Sequence, residues 1–376
     1  MEIYDRGGYR MGDIFSLPDI VQDFRRIYQK AAADGREARL FGEETFEKAC
    51  VALRCAAIKD AREAAGFYFE FPLSGKPCMD LLLQYTCGAI RSPVKFAEGD
   101  GFGFQNFFDN CASDEGLKGY GCGFSFDLSR VASVAKLGVP GIYLVPTPSL
   151  ANADYVPLML KRLGKEDCIS QVMEAFANAP PGWRPYYAGC MAGRVGGPVR
   201  LGFFLPRESQ AYYSAHPLRL AEEIELYGGR NLLSEEKDKF SYLIQNSGVW
   251  DLQFDLFPDG SFANALGVTL NMGVGDADPR NSEEFMMKGK AGQIMRCLES
   301  WGLADSRWHE MGRACYGVLR MVRENGRWRA VGDTVRLNTV KVRFREGRAY
   351  LAKGYLFAQS YCISKNMNNS SEPELK

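Results

Sequence analysis

Acidic and amide side chains occupy every second position of one segment, Asp251, Gln253 and Asp255, and apolar residues occupy the positions between them. Because the side chains of a strand alternate between its two faces, this spacing predicts that all three lie on one face. Two carboxylates on one face could act as general acid and base, bind a metal ion or pair with a basic partner. A strand face that only contacts water is the alternative.

A second alternating pattern is basic. Lys341 and Arg343 flank a valine, and Lys353 and Tyr355 flank a glycine, so the members of each pair share a strand face. A charged edge strand facing water would explain the same pattern. Glu70 lies between two phenylalanines in a strand-like segment, where a carboxylate needs a partner if it is buried. An exposed strand residue is the alternative for Glu70.

The residue counts exclude several chemistries. The chain has 376 residues with 46 basic and 46 acidic side chains, and this zero net charge gives no support for a nucleic-acid or anionic-membrane partner. His216 and His309 are its only histidines, which is too few for a histidine cluster. The eleven cysteines form no C-x-x-C motif, and the chain carries neither a signal-peptide pattern nor a long apolar run. We therefore predict a cytoplasmic protein with reduced thiols.

Pairs of strand patterns alternate with helix patterns along the chain. Strand pairs that begin near residues 121, 185 and 249 are evenly spaced, which indicates an internal repeat. The repeat favours a single domain over residues 1–364, followed by a disordered polar tail at 365–376. The predicted strands lie at 67–71, within 94–108, and at 121–128, 140–146, 185–192, 198–205, 249–256, 264–272, 334–345 and 349–360.

Helix patterns separate these strand pairs. They place apolar residues on one helical face, and several of them end at a glycine. Each repeat unit therefore has the order helix, strand, strand, helix. The predicted helices lie at 18–34, 43–65, 78–90, 153–163, 166–178, 215–227, 234–245, 282–300 and 305–324.

The polar faces of the strands indicate how the sheet is closed. An antiparallel sheet with helices on one face and water on the other would explain one apolar and one polar face for each strand. However, the polar faces carry Gly, Ser, Gln, Asp and Tyr, and ten strands in one twisted sheet tend to close. We predict an α+β fold in which repeated α-β-β-α units form a closed antiparallel ten-stranded β-barrel with helices outside. Its polar faces would line a lumen large enough for a ligand.

This order of elements resembles the ABBA, or PT-barrel, aromatic prenyltransferases. The resemblance covers most of the chain and lies in the repeat architecture rather than in a tight motif. In that family, lumen-facing Arg and Lys bind an allylic diphosphate, Tyr residues shield the allyl cation, and a carboxylate on an early strand positions or deprotonates the aromatic acceptor. The resemblance implies an enzyme that moves a dimethylallyl or geranyl type group from its diphosphate to an aromatic small molecule or a peptide side chain. Such an enzyme would act in secondary metabolism or in peptide modification.

The resemblance also gives roles to single residues. Lys341, Arg343 and Lys353, with Arg200, would bind the diphosphate, since fixed cations stabilise a leaving group in a water-poor cavity. Glu70 takes the position of the family's carboxylate. The aromatic rings would stabilise the allyl cation by about 0.5–2 kcal/mol per contact. Candidates for the ring shield are Tyr68, Tyr143, Phe204 and Tyr355, together with whichever of Tyr186 and Tyr187 faces inward, since alternation allows only one.

The fourth repeat departs from the family pattern. Asp251, Gln253 and Asp255 stand where basic residues are expected, and with Glu70 they become candidate catalytic or substrate-binding residues. Such carboxylates favour a second function, acid/base chemistry on a peptide or small molecule in the same barrel. A third possibility is a barrel that only binds a hydrophobic ligand. Converging cations would favour the first function, converging carboxylates the second, and a lumen filled with side chains the third.

No cofactor is required by the chemistry that the resemblance implies. Mg²⁺ on the diphosphate remains an option, which the segment Asp276-Ala277-Asp278 could serve. A turn into the following helix is the alternative for that segment, because Asn281 and Glu284 form a capping-box pattern.

Overall fold

Eleven strands form one antiparallel sheet in this computed structural model. The residues that the structure describes are 20–56, 64–85, 121–130, 140–145, 156–158, 160–161, 164–191, 197–228, 232–272, 278–324 and 327–363.

The sheet closes on itself. Its strands follow the order β11-β1-β2-β3-β4-β5-β6-β7-β8-β10-β9, and β10 also pairs with β11. The ten strands other than β9 therefore form a closed barrel, which confirms the predicted fold. The strands are β1 (Ala64–Pro72), β2 (Asp80–Tyr85), β3 (Gly121–Phe126), β4 (Gly141–Val145), β5 (Arg184–Met191), β6 (Val199–Phe204), β7 (Val249–Leu256), β8 (Phe262–Leu270), β9 (Tyr316–Glu324), β10 (Arg327–Arg345) and β11 (Arg348–Ile363).

Helices cover the outside of this barrel. Residues 156–158 and 160–161 are also helical, and short 3₁₀ and π turns join several elements. The helices are α1 (Ile20–Ala31), α2 (Thr45–Ala56), α3 (Ile169–Ala177), α4 (Arg207–Ala215), α5 (Pro217–Gly228), α6 (Ser234–Ser247), α7 (Ser282–Met287), α8 (Gly289–Ser300) and α9 (Trp308–Ala314).

The hydrophobic core lies between the barrel wall and the helices. Phe67, Phe69 and Phe71 on β1 are buried on the outer face, where Phe24 of α1 packs edge-on against Phe69 with ring centroids 6.0 Å apart. Burying a phenylalanine stabilises the fold by about 1.5–3 kcal/mol. The alternation that turns the apolar residues outward leaves Tyr68 and the other even-numbered residues of β1 facing the lumen.

Two predicted helices are wrong. Residues 78–90 were expected to be helical, but β2 occupies Asp80–Tyr85. Its apolar run is short, and a short apolar run does not distinguish a buried strand from a helix. Residues 305–324 were expected to form one helix, but α9 ends at Ala314 and β9 begins at Tyr316. The predicted strand within 94–108 and the tail at 365–376 lie outside the described residues.

Glycines on the lumen face make room for tyrosines on the neighbouring strand. Gly202 of β6 lies opposite Tyr187 of β5, and a Cβ atom at Gly202 would overlap the Tyr187 ring. Gly189 and Tyr143 have the same relation on β5 and β4. Each ring thus lies flat against the wall over a glycine, as aromatic residues often do beside strand glycines.

We expect Gly202→Ala to destabilise the protein by about 1–3 kcal/mol, since the Tyr187 ring must leave its place on the wall. Urea unfolding would measure this change. Gly317→Ala on β9 is the matched control, because its nearest neighbour atom would be 3.9 Å away. Equal stability of the Gly202→Ala variant and the control would show that the ring is not held by the glycine.

Candidate functional site in the barrel lumen

All the site residues predicted from the sequence lie on the lumen face of the wall, because β1, β4, β6, β7, β10 and β11 alternate as expected. Three charged side chains of the lumen retain accessible surface. Arg200 keeps 24% of its side chain accessible, and Lys353 and Glu70 keep 19% and 20%. These charged groups inside the barrel are therefore accessible to solvent or to a ligand.

Arg200 is already paired with a carboxylate. It lies opposite Asp255 on the neighbouring strand, and its Nε and Nη2 atoms donate to the two carboxylate oxygens at 2.7 and 3.0 Å. Its Nη1 atom lies 3.5 Å from the Tyr143 hydroxyl. Two parallel hydrogen bonds between these groups fix both side chains. Asp255 therefore neutralises Arg200 before any ligand arrives.

Lys353 is paired with two carboxylates. Its Nζ donates to Glu70 at 2.5 Å and lies 3.5 Å from Asp80, which is the cross-strand neighbour of Glu70. Burial opposes ionisation of Glu70, but Lys353 and Lys341 prevail and lower the pKa of Glu70 to about 2. Burial, and then the charge of Glu70, raise the pKa of Asp80 despite Lys353. Asp80 also accepts a hydrogen bond from the backbone of Ser129 at 3.0 Å.

Lys341 and Arg343 differ from these two cations. Among the described residues neither forms an ion pair, and the Nε atom of Arg343 is buried without a hydrogen-bond partner. The Nζ atom of Lys341 lies 5.1 Å from the ring centroid of Tyr355. Burial lowers the pKa of Lys341 to about 8, although Asp251 and Glu70 act in the opposite direction. The two neighbouring cations on β10 are thus available to an anion.

Asp251 has a carboxylate oxygen that forms no hydrogen bond within the described residues. Its Oδ1 atom and the Thr269 hydroxyl lack a partner of hydrogen-bond geometry there, although Thr269, Gln253 and the charge of Lys341 all act on this carboxyl group. Lys341 is the next residue across the sheet from Thr269. Burial raises the pKa of Asp251. A buried acceptor without a partner is destabilising unless a ligand or water satisfies it. The row of Asp251, Thr269 and Lys341 could therefore bind a polar group of a ligand.

A second row lies one step along the same strands. Gln253 and Arg343 are both cross-strand neighbours of Gly267, which has no side chain. A Cβ atom at Gly267 would lie 3.2 Å from Gln253 and 3.6 Å from the Cδ atom of Arg343. The side chains of Gln253 and Arg343 thus both pack over the glycine and fill the space above it.

Aromatic rings line another part of the lumen. Tyr68 packs against Phe357 with ring centroids 4.9 Å apart, and Tyr186 lies 6.1 Å from Phe204 and 5.6 Å from Tyr187. Alternation predicted that only one of the two adjacent tyrosines faces inward. That prediction is wrong, because the register shifts between Pro185 and Tyr187 and the irregularity brings both rings into the lumen.

One end of the lumen, which we call the aromatic end, carries Tyr68, Phe204 and Phe357, with the cation Arg336 over the Phe357 ring. Tyr68, Phe204 and Phe357 lie near the ends of their strands that adjoin the first half of β10. Arg200 and Asp255 lie toward the opposite end, where β10 turns into β11. Charged and aromatic groups also lie side by side, since Phe204 is the cross-strand neighbour of Asp251 and Tyr143 contacts Arg200.

The structure offers little for a metal ion. In the described part of the chain, no three His, Cys, Asp or Glu side chains are grouped to hold one. Asp278 accepts from the backbone of Arg280 and pairs with its side chain, while Asp276 lies outside the described residues. Across the described residues, none of the helices is both long and apolar enough to cross a bilayer.

No protein-family model and no curated protein sequence matches the chain. Among solved structures, 6-dimethylallyltryptophan synthase from Micromonospora olivasterospora in complex with DMASPP and Trp is similar, with a TM-score of 0.45, 11% identity and coverage of 90% of this chain and 96% of that one. AnaPT from Neosartorya fischeri has a TM-score of 0.45, 10% identity and coverage of 89% and 84%. A 6-dimethylallyl tryptophan synthase has a TM-score of 0.40, 13% identity and coverage of 91% and 96%.

Proposed function

We propose that this protein is an enzyme that transfers an allylic group from its diphosphate to an aromatic acceptor inside the barrel. The observation that supports the proposal most is the pair Lys341 and Arg343. Among the described residues neither of these lumen cations forms an ion pair, although Asp251 and Glu70 act on Lys341 at longer range, whereas Arg200 and Lys353 are paired with neighbouring carboxylates. An aromatic region in the same lumen would hold the allylic group and the acceptor.

The proposed reaction uses the two cations on β10 and the aromatic rings near them. Lys341 and Arg343 bind the diphosphate oxygens and stabilise the charge that develops when the allylic C–O bond breaks. Tyr355 and the other rings stabilise the allyl cation by cation–π attraction, and the wall keeps water away from it. The acceptor carbon then forms the new C–C bond and loses its proton. Asp251 is the best candidate base, because burial raises the pKa of its carboxyl group and its Oδ1 atom forms no hydrogen bond within the described residues.

Glu70 and Asp255 have a different role in this proposal. Both hold a cation in place, Glu70 on Lys353 and Asp255 on Arg200. Lys353 and Lys341 lower the pKa of Glu70 to about 2, so Glu70 is a poor base, and both carboxylates are engaged by their cations. We therefore propose that they position the lumen cations rather than accept the proton.

Calorimetry with dimethylallyl diphosphate or geranyl diphosphate, with and without Mg²⁺, tests the proposal. We expect micromolar binding whose affinity falls as the pH rises above about 8, because Lys341 then loses its proton and its charge. Since bound diphosphate favours the charged amine, proton uptake on binding near pH 8–9 is expected from the buffer dependence of the binding enthalpy. Failure to bind either diphosphate would contradict the proposed function.

Acid/base chemistry without an allylic donor is the second candidate function. It is favoured by the buried, unpartnered Asp251 oxygen and by the lumen carboxylates that neutralise Arg200 and Lys353. This candidate predicts no diphosphate binding and a loss of substrate turnover in Asp251→Asn. Diphosphate binding that persists in Asp251→Asn, together with lost transfer, would instead fit the first candidate.

A further inference from the structure

Three strands extend the barrel wall beyond the closed ring. They are β9, residues 327–335 of β10 and residues 358–363 of β11, and we call them the apron. Within the apron Gly332 has Leu319 of β9 on one side and Tyr361 of β11 on the other. Even-numbered residues of β10 up to Arg336 face the lumen, so this side of the apron continues the lumen wall at its aromatic end.

The back of the apron is fixed to helix α1. Arg26 donates to both oxygens of Asp333 at 2.8 and 3.0 Å, and the Ser360 hydroxyl donates to the same carboxylate at 2.6 Å. Arg320 of β9 adds a further bond to Asp333 at 3.0 Å. Burial opposes ionisation, but these partners lower the pKa of Asp333, so the group stays charged and paired. The apron is therefore a fixed surface.

The front of the apron is apolar and exposed. Leu319, Met321 and Trp328 keep 65%, 61% and 65% of their surface accessible. Trp328 lies on β10 opposite Arg323, beside the row that carries Met321. Exposed apolar side chains grouped on one face are typical of interaction surfaces. In the described part of the chain, β9 pairs with β10 alone, so its other edge faces no further strand there.

We propose that the apron binds an extended peptide with apolar side chains at alternate positions, and that an aromatic residue of this peptide enters the aromatic end of the lumen. Three features carry the proposal. Leu319 and Met321 repeat with the period of two that an added strand presents, β9 offers an edge for main-chain hydrogen bonds, and the surface is continuous with the lumen. The use of this aromatic residue as the acceptor rests on the proposed function, whereas binding of the peptide to the apron does not.

Fluorescence anisotropy tests the docking without any diphosphate. The probe is a labelled octapeptide with leucine at alternate positions around a central tryptophan, and a shuffled peptide without the alternation is its control. We expect micromolar binding that weakens at least about tenfold in the double variant Leu319→Lys/Met321→Lys, since charge replaces two apolar contacts. Leu226→Lys on α5, another exposed leucine, is the matched protein control and should bind normally.

Several outcomes would overturn the proposal. These are no binding of the octapeptide, equal binding of the shuffled peptide, and equal binding by the double variant. A dimer that light scattering detects in the native protein and not in the double variant would also overturn it, because a second copy would then cover the apron. Calorimetry with dimethylallyl diphosphate runs in parallel on the same variants. Lost diphosphate binding with intact peptide binding would defeat the proposed function alone.

Discussion

Replacement of Arg343 by methionine is expected to weaken binding of dimethylallyl diphosphate by about 10- to 150-fold, the equivalent of one lost hydrogen bond to a charged group. Arg343 has no ion pair among the described residues, so no carboxylate competes with the ligand for it. Its Nε atom has no hydrogen-bond partner in the described part of the chain and can donate to a ligand oxygen. Methionine retains most of the side-chain volume and removes only the charge and the donors.

Titration calorimetry would measure this loss, with Arg348→Met as the matched control. Arg348 lies outside the lumen and pairs with Glu235 on the surface, so the control should bind as the native protein does. Arg200→Met is a second comparison. If Arg200→Met abolishes binding while Arg343→Met retains it, the diphosphate contacts the paired cation, and the assignment to β10 is wrong.

Replacement of Lys353 by methionine is expected to destabilise the protein by about 3–5 kcal/mol at pH 7, because it leaves buried carboxylates without their cation. Glu70 and Asp80 are neighbours across two strands and share the Nζ atom of Lys353. Without Lys353 the negative charges of Glu70 and Asp80 would repel each other in a part of the wall that water reaches poorly. Urea unfolding would measure the change, and Lys288→Met, which breaks only a surface pair with Glu284, is the control.

The loss in Lys353→Met should depend on pH in a defined direction. In the native protein the pKa of Glu70 is lowered to about 2, so its contribution is present at neutral pH and is lost as the pH falls from about 4.5 to 2. Methionine removes that contribution, so the difference between native protein and variant should narrow over the same range. A difference that stays constant from pH 7 to pH 3 would mean that the amine acts by packing and not by charge.

The sequence was sufficient to predict the barrel because most of the strands that line it alternate in polarity. Asp251, Gln253 and Asp255 show this most clearly, since the apolar residues between them are buried on the outer face. Prediction from the sequence failed where a strand lacks this alternation. The apolar run of β2 was taken for a helix, and Asp80, which shares Lys353 with Glu70, was missed for that reason. A predicted strand there would have brought a carboxylate opposite Glu70.

The pairing of charges could not be predicted from the sequence. Which cation meets which carboxylate depends on the register between strands, and register is set by turns and bulges that composition does not reveal. Arg200 and Lys341 have similar sequence surroundings, yet only Arg200 lies opposite a carboxylate, Asp255. Whether a lumen cation is paired with a carboxylate or available to a ligand is therefore determined by the fold.

The closure of the barrel has a consequence for how the chain is made. β1 pairs with β11, for example Phe67 with Ala358, so β1 cannot complete its pairing until β11 has left the ribosome. Until then β1 and β8 both present open edges, which are templates for association with other chains. Contacts between such distant residues also slow folding. Once the β10–β11 hairpin has been synthesised, both open edges can pair, and the risk that the nascent protein associates with other chains falls.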